Sequence, residues 1–181
     1  MIIKFIKELF ARKSPELRPR DAAGNDLSMV RALLLTEARN GHFAGLTTPL
    51  EVDSYMIQLQ AAMNDLKAGK RIGVYLQILA VGHESVGFII LRACEDPAEL
   101  ELHMLVIAPA YRRQGHAGKV VTWFVDDLKK SKRRLLVRCF PASDAMMALL
   151  RTLGFHRKPS SDVYVRHFLS PPIMNSRLES D

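Results

Sequence analysis

Apolar side chains in the first third of the chain recur at three- and four-residue spacing, which predicts amphipathic helices. The first predicted helix covers residues 2–12, and a second apolar stripe runs from Leu27 to Ala38. A capping box with proline at the first helical position starts at Thr48 and predicts a third helix that ends near Lys67.

From residue 72 onward, β-branched and apolar runs are separated by turn residues, which predicts strands with helices between the later ones. The predicted strands cover residues 72–80, 85–91, 100–107, 135–140 and 163–168, and the predicted helices cover residues 116–129 and 143–153. Antiparallel strands followed by a strand–helix–strand unit predict a mixed α/β sheet with helices on both faces.

Alternation along the strand at residues 99–107 predicts one apolar face and one face that starts with polar groups. The apolar face holds Leu100, Leu102, Met104 and Val106, and the other face holds Glu99, Glu101, His103, Leu105 and Ile107. Glu101 and His103 are therefore expected side by side on the polar face.

The length and the charge narrow the possible functions. The 181 residues fit one domain, predicted at 15–169, with an N-terminal helical extension at 1–14 and a flexible tail at 170–181. Lysine and arginine total 26 against 19 acidic residues, so the formal charge is +7 and anionic partners are favoured. Nucleic acid, an anionic membrane surface and a phosphorylated cofactor all fit that charge.

Cysteine usage and hydropathy predict a cytoplasmic protein. Cys94 and Cys139 lie in no metal-binding spacing, so we expect reduced thiols and no metal. The apolar stretch at residues 1–10 is interrupted by charges and is far shorter than the roughly 20 residues that span a bilayer, so no transmembrane helix and no secretion signal are expected. We expect the amphipathic helix at residues 2–12 to pack on its own domain or on a second copy, and a membrane-surface or partner-docking helix is the alternative.

The stretch from Val106 to Lys119 carries the clearest chemical signal. A strand ends, a loop with Gly115 and two arginines follows, and an amphipathic helix begins. The first N–H groups of that helix have no partner within the helix, and its dipole adds positive potential, so the junction suits a phosphate or a pyrophosphate.

The six residues Arg112-Arg113-Gln114-Gly115-His116-Ala117 resemble the acyl-coenzyme A motif Arg/Gln-x-x-Gly-x-Gly/Ala of the GNAT superfamily of N-acetyltransferases. Leu153-Gly154-Phe155 stands where that family usually has Leu-Gly-Phe. The resemblance implies an α/β (α+β) fold with a mixed, mostly antiparallel sheet flanked by helices, here with the extra N-terminal helix. It also implies acetyl-CoA, or another acyl-CoA, as cofactor.

The resemblance further implies which residues hold the cofactor. Leu105, Val106 and Ile107 would bond pantetheine through the backbone, and the pyrophosphate would lie against Arg112, Arg113, Gln114, Gly115, His116, Ala117, Gly118 and Lys119. Ser143, which replaces an asparagine that is frequent in the family, is also expected among the cofactor-binding residues.

A lysine-like amine has a pKa of about 10.4 and is almost wholly protonated at pH 7. Acyl transfer to such an amine therefore needs a group that takes its proton. Glu101 and His103 are the two candidates, acting directly or through water. The tyrosine that usually acts as acid in the family is replaced by Leu150, and Tyr111 and Tyr164 are possible substitutes. By the same resemblance, His42, Phe43, Tyr55 and Tyr164 would line the acceptor side.

These observations favour an acyl-CoA-dependent N-acyltransferase that transfers the acyl group, acetyl by default, directly to a small-molecule or peptide amine. The alternative is a non-catalytic acyl-CoA sensor or scaffold with the same fold. A third reading, a nucleic-acid binder built on the basic residues 129–134, ranks low because no aromatic residues interleave that run. A homodimer is expected only on the habit of the family.

Overall fold

The computed structural model of the chain describes residues 17–70, 73–160, 162 and 164–172. The predicted N-terminal helix and most of the predicted tail therefore lie outside the described residues.

The described residues form seven strands and four α-helices. The strands are β1 (Arg18–Asp21), β2 (Val74–Val81), β3 (Glu84–Ala93), β4 (Glu99–Ile107), β5 (Arg134–Cys139), β6 (His156–Lys158) and β7 (Arg166–Leu169). The helices are α1 (Leu27–Arg39), α2 (Pro49–Lys67), α3 (His116–Lys130) and α4 (Asp144–Thr152). The sequence pattern missed β1 as a paired strand and β6 altogether, because three or four residues show no periodicity.

All seven strands form one sheet in the order β1-β2-β3-β4-β5-β7-β6. The β4–β5 pair is parallel and the other five pairs are antiparallel. The prediction of a mixed, mostly antiparallel sheet flanked by helices is confirmed.

Two hydrophobic cores lie on opposite faces of this sheet. One core contains Phe124 of α3 and Leu150 of α4. The other contains Leu34 of α1 and Leu59 of α2. Each helix pair thus buries its apolar stripe against its own face of the sheet.

A β-bulge at His103 interrupts the alternation of β4. Ile90 of β3 pairs with Met104, and the next residue, Leu91, pairs with Leu102, so His103 is an extra residue without a partner on β3. A one-residue insertion moves every later side chain of the strand to the opposite face.

The bulge corrects the predicted faces of β4. Leu105 and Ile107 pack with Leu100 and Leu102 against the core of α3 and α4, whereas Met104 and Val106 belong to the core of α1 and α2. The prediction of strict alternation is therefore wrong beyond Leu102, because period-two reasoning does not allow for the extra residue.

The parallel pairing of β4 with β5 is short. It joins Glu99–Leu102 to Arg134–Val137 and then stops. The last residues of β5 pair only with β7, as Arg138 does with His167. Beyond Leu102 and Val137 the two strands separate, and a gap opens in the middle of the sheet.

Part of the basic run at residues 129–134 is used by the fold itself. Arg133 donates from Nη2 to the carbonyl of Glu99 at 2.6 Å, and Arg134 donates from Nε to the carbonyl of Ser170 at 3.0 Å. Arg133, between α3 and β5, is thereby joined to β4, and Arg134, the first residue of β5, is joined to the residue after β7.

Ser170, where the predicted tail begins, belongs to the packed structure. Only 3% of its surface is exposed. Its N–H donates to the carbonyl of Leu135 at 2.9 Å, and its Oγ accepts the N–H of Leu135 at 3.0 Å. The ordered contacts of the sheet thus extend one residue past β7.

Within the described ranges, no helix has the length and the apolar run that crossing a bilayer requires. The same ranges contain no group of three or more histidine, cysteine, aspartate or glutamate side chains placed to hold a metal ion.

Gly87 tests the tight contact between β3 and β4. A Cβ built on Gly87 would lie 2.1 Å from the backbone oxygen of Val106. We expect Gly87→Ala to lower the free energy of unfolding by about 2 kcal/mol or more, because one strand must shift. Urea denaturation measures this. Gly73→Ala, whose Cβ meets nothing within 4 Å, is the matched control. Equal stabilities of the two variants would contradict the described pairing.

Candidate active site

A cleft of about 560 Å³ lies where β4 and β5 separate. Its walls are the second half of β4, the loop at residues 108–115, the start of α3, the end of β5 and the first turns of α4. His42 and Phe43, from the loop between α1 and α2, lie at the same cleft.

The edge of β4 offers backbone groups to this cleft. The N–H of Ala108 donates to Val86 of β3 at 2.8 Å. Because backbone groups of successive residues alternate in direction, Val106 also faces β3, where it pairs with Phe88, and Leu105 and Ile107 face the cleft. Of the three residues predicted to bond pantetheine, these two are the ones with outward backbone groups.

The N-terminus of α3 is open toward the cleft. Its N-cap, Gly115, has a φ of 79° and no capping side chain, which leaves the N–H groups of His116, Ala117 and Gly118 without partners in the helix. His116 is only 8% exposed, and its Nδ1 has no hydrogen-bond partner among the described residues. These donors and the helix dipole fit an anionic group at this position.

The first arginine of the motif is bound within the protein. Arg112 donates from Nε to the carbonyl of Ile107 at 2.9 Å and from Nη2 to Glu37 of α1 at 2.5 Å. Its guanidinium therefore fixes the loop before α3 against β4 and α1.

His42 connects the loop after α1 to the start of α4. Its Nδ1 lies 3.2 Å from Oγ of Ser143, the N-cap residue of α4. Its Nε2 lies 3.9 Å from Oε2 of Glu37. Both histidine and serine line the cleft, so this contact spans one side of it.

Glu101, Arg138 and His103 form a partly buried cluster where the strands separate. Glu101 is 5% exposed. Arg138 of β5 donates from Nε to Oε1 and from Nη2 to Oε2, both at 2.8 Å. His103 Nδ1 lies 2.8 Å from Oε1 of the same carboxylate. Glu101 and His103 thus lie side by side, as the sequence predicts. Arg138 adds a bidentate ion pair to the same carboxylate.

The cluster gives its two candidate bases different roles. Burial raises the pKa of Glu101, but the hydrogen bonds from His103 and Arg138 outweigh burial and hold the pKa below its ordinary value. Since an ionised carboxylate can only accept, the proton of the neutral imidazole is on Nδ1, and Nε2 is free to accept a proton. His103 lines the cleft and Glu101 does not.

Of the two tyrosines predicted as substitute acids, Tyr111 lines the cleft and Tyr164 does not. Tyr111 donates to Glu84 at 2.7 Å, and that hydrogen bond raises the pKa of Tyr111. Tyr164 is 76% exposed. Leu150 is fully buried in the core of α3 and α4, so its side chain does not reach the cleft.

The cleft brings together most of the predicted site residues. Its wall contains His42, Phe43, His103, Leu105, Val106, Ile107, Arg112, Arg113, Gly115, His116, Ala117, Gly118 and Ser143. Outside that wall lie Tyr55, Glu101, Gln114, Lys119 and Tyr164.

Sequence reasoning missed Arg138. The available signal was a single charged residue in the otherwise apolar stretch from Leu135 to Phe140. Its partner, Glu101, lies 37 residues earlier, so the pairing emerges only from the parallel register of β4 and β5.

Comparison with known families agrees with this architecture. A family model described as the acetyltransferase (GNAT) family matches residues 38–155. No curated protein matches the sequence significantly.

Solved structures with the same fold cover nearly the whole described chain. The RimL ribosomal alpha-N-protein acetyltransferase in complex with coenzyme A aligns with a TM-score of 0.67 at 13% identity, over 88% of this chain and 96% of that one. The PaiA N-acetyltransferase of Thermoplasma acidophilum in complex with coenzyme A aligns with a TM-score of 0.64 at 13% identity, over 85% and 98%. An acetyltransferase from Thermus thermophilus aligns with a TM-score of 0.65 at 19% identity, over 86% and 97%. At these identities the similarity concerns the fold.

Glu101→Gln tests the partly buried cluster through pH-dependent stability. The lowered pKa of Glu101 means that its contribution is fully present above the unfolded pKa of about 4.3 and is lost as the pH falls through the folded pKa. We expect the free energy of unfolding of the variant to be about 1–3 kcal/mol lower at pH 7. The glutamine amide has one acceptor oxygen and no charge, so Arg138 loses one of its two hydrogen bonds to this side chain. The difference from the wild type should shrink below pH ~4.

Urea denaturation across this pH range measures the effect. The matched control is Glu95→Gln, at an exposed glutamate between β3 and β4, which should change stability little at any pH. A Glu101→Gln loss that is independent of pH would contradict the ionised cluster.

Proposed function

This chain belongs to the GNAT family of acetyltransferases, and we propose that it transfers an acetyl group directly from acetyl-CoA to an amine acceptor. It is an N-acetyltransferase of the GNAT type. The observation that carries the proposal is the meeting of two features in one cleft: the uncapped N-terminus of α3 and the free Nε2 of His103.

The residues at the cleft fit acetyl-CoA. The N–H groups at the start of α3 and the orphaned Nδ1 of His116 suit the pyrophosphate. The outward backbone groups of Leu105 and Ile107 suit an extended chain with amide groups, which would add a strand-like partner along β4. Bound acetyl-CoA supplies an acyl group activated as a thioester and a thiol leaving group with a pKa of about 8.5.

His103 is the base in this proposal. An acceptor amine with a pKa of about 10.4 is almost wholly protonated at pH 7, so it must lose a proton before it can attack. His103 Nε2 accepts that proton, directly or through a water molecule, and releases it to solvent. Glu101 is a positioning residue, because it holds the Nδ1 proton and thereby presents Nε2 to the cleft.

Direct transfer agrees with the remaining groups in the cleft. Burial raises the pKa of Cys139 to about 12, so this thiol stays protonated and is a poor nucleophile. The N–H groups of Leu105 and Ile107 are donors for a carbonyl oxygen in the cleft. Since α4 places an apolar residue, Leu150, where the family usually has tyrosine, we propose that the thiol leaves without a tyrosine acid.

Two broader expectations are also proposals. The free thiols Cys94 and Cys139 favour a reducing compartment such as the cytoplasm. A homodimer is proposed on family habit, and sedimentation of the purified protein would test it.

Ala117→Glu tests the cofactor site without harming the helix. A carboxylate in the first turn of α3 favours the helix dipole, yet it repels an anion at the same N–H groups. We expect the dissociation constant for acetyl-CoA, measured by calorimetry, to rise at least about tenfold. Ala117→Gln, of similar size and no charge, should weaken binding much less. Equal effects of the two variants, or no binding by the wild type, would contradict the site.

His103→Gln tests the base. We expect kcat to fall roughly 10²–10⁴-fold with acetyl-CoA affinity retained, because the step that loses its proton acceptor follows binding. His83→Gln, in the exposed turn between β2 and β3, is the matched control. A kcat within a few-fold of the wild type would assign the base elsewhere. Acetyl-CoA binding by the wild type without transfer to any amine would favour the sensor.

A further inference from the structure

One side of the sheet carries a group of charged residues next to His103, which we call the polar face. It consists of Arg92, Glu99, Glu101, Arg138 and Lys158. Arg92 follows Phe88 and Ile90 on β3 at two-residue steps, and these two belong to the core of α1 and α2. Glu101 lies between Leu100 and Leu102, which face the opposite core, so it shares the side of Arg92.

Both carboxylates of the polar face are already neutralised. Glu101 forms the bidentate pair with Arg138. Glu99 accepts a hydrogen bond from Nζ of Lys158 at 2.5 Å. The fifth member, Arg92, is exposed, and no carboxylate of the described residues lies within ion-pair distance of it. The polar face therefore presents one net positive charge, and that charge is a guanidinium.

Arg92 lies within reach of the proposed base. It pairs directly with Glu101 across β3 and β4, and His103 is two residues further along β4. Nδ1 of His103 lies 2.8 Å from the carboxylate of Glu101, so the residue directly opposite Arg92 is in contact with the proposed base. An acceptor whose amine lies at His103 can therefore place a second group against Arg92.

Tyr55 of α2 lies on the same side of the sheet as Arg92, because it packs beside the core of α1 and α2. Burial raises the pKa of Tyr55 to about 12, while the charge of Arg92 lowers it and that of Glu101 raises it. Both charges thus act on this phenol, which stays protonated and can donate a hydrogen bond.

We propose that Arg92, assisted by the hydroxyl of Tyr55, binds an anionic group of the acceptor. The preferred acceptors are then amines that carry a carboxylate or a phosphate a few bonds from the reacting nitrogen. An arginine fork binds either oxyanion with two parallel hydrogen bonds. This inference rests on the proposed acetyl transfer at His103.

The same charges disfavour a polycationic acceptor. A polyamine or an aminoglycoside needs carboxylates that have no other partner, because its extra ammonium groups must be compensated when they leave water. Glu99 and Glu101 are held by Lys158 and Arg138. Arg92 would add repulsion.

Matched acceptor pairs test the proposal. Each pair shares the amine and differs in one anion: glutamate against glutamine in an N-terminal dipeptide amide, an amino acid against its amide, and phosphoethanolamine against ethanolamine. We expect kcat/KM of the anionic member to exceed that of its neutral partner in at least one pair by about tenfold. A preference in the first two pairs would indicate a site for a carboxylate, and a preference in the third pair would indicate a site for a phosphate.

Arg92→Gln should remove this preference, and Arg92→Lys should retain part of it. The matched control is Arg157→Gln, an exposed arginine of β6 on the opposite side from Lys158, which should keep the full ratio. No preference in any pair, or a ratio unchanged by Arg92→Gln, would overturn the proposal.

Binding without turnover separates this proposal from the proposed function. Calorimetry of the same acceptors with the protein saturated by coenzyme A should show tighter binding of the anionic member, lost in Arg92→Gln. If that preference is present and no amine is acetylated, the proposed transfer fails and the anion site stands. If amines are acetylated without any anion preference in rate or binding, the anion site fails and the transfer stands.

Discussion

The separation of β4 from β5 is the constraint on which the rest of the site depends. Parallel pairing ends at Leu102 and Val137, and His103, the unpaired edge of β4 and the N-terminus of α3 all lie beyond that point. The gap frees the backbone of β4 at Leu105 and Ile107, and α3 then begins with its N-terminus at the same cleft. In a fully paired sheet these backbone groups would form hydrogen bonds with β5 and would not be available to a ligand.

The ion pair of Glu101 with Arg138 lies where the strands part. Glu101 is in the paired part of β4, and Arg138 is the first residue of β5 beyond the pairing. Burying a charge is costly unless it is paired with good geometry, and here both oxygens of the buried Glu101 carboxylate accept from the partly exposed guanidinium of Arg138. The carboxylate then serves His103 as well, so the group that joins the two strands also sets the tautomer of the proposed base.

The sequence predicts the fold well and the site only in part, for identifiable reasons. The capping box at Thr48, the β2–β3 hairpin and the glycine-containing turn before α3 depend on local chemistry, and the structure contains all three. The bulge at His103 leaves no trace in the period-two pattern, which is why Leu105 and Ile107 were predicted on the wrong side. Arg138 and Arg92 are brought next to Glu101 by the register of neighbouring strands. That register depends on residues far apart in the chain, so a local sequence pattern does not predict it.

The first arginine of the family motif is bound within the protein. Arg112 is held by Glu37 and by the carbonyl of Ile107, so its charge is largely compensated before any cofactor arrives. The N–H groups after Gly115 stay available to an anion, because its left-handed conformation turns the chain into α3 without a capping side chain, and Arg113 lies in the same cleft wall. Specificity for the acceptor must then come from side chains outside the motif. Along β4, Glu101 lies opposite Arg92 and precedes His103, whereas α3 begins after the end of β4, so the proposed acceptor site and the proposed cofactor site would lie on opposite sides of the proposed base.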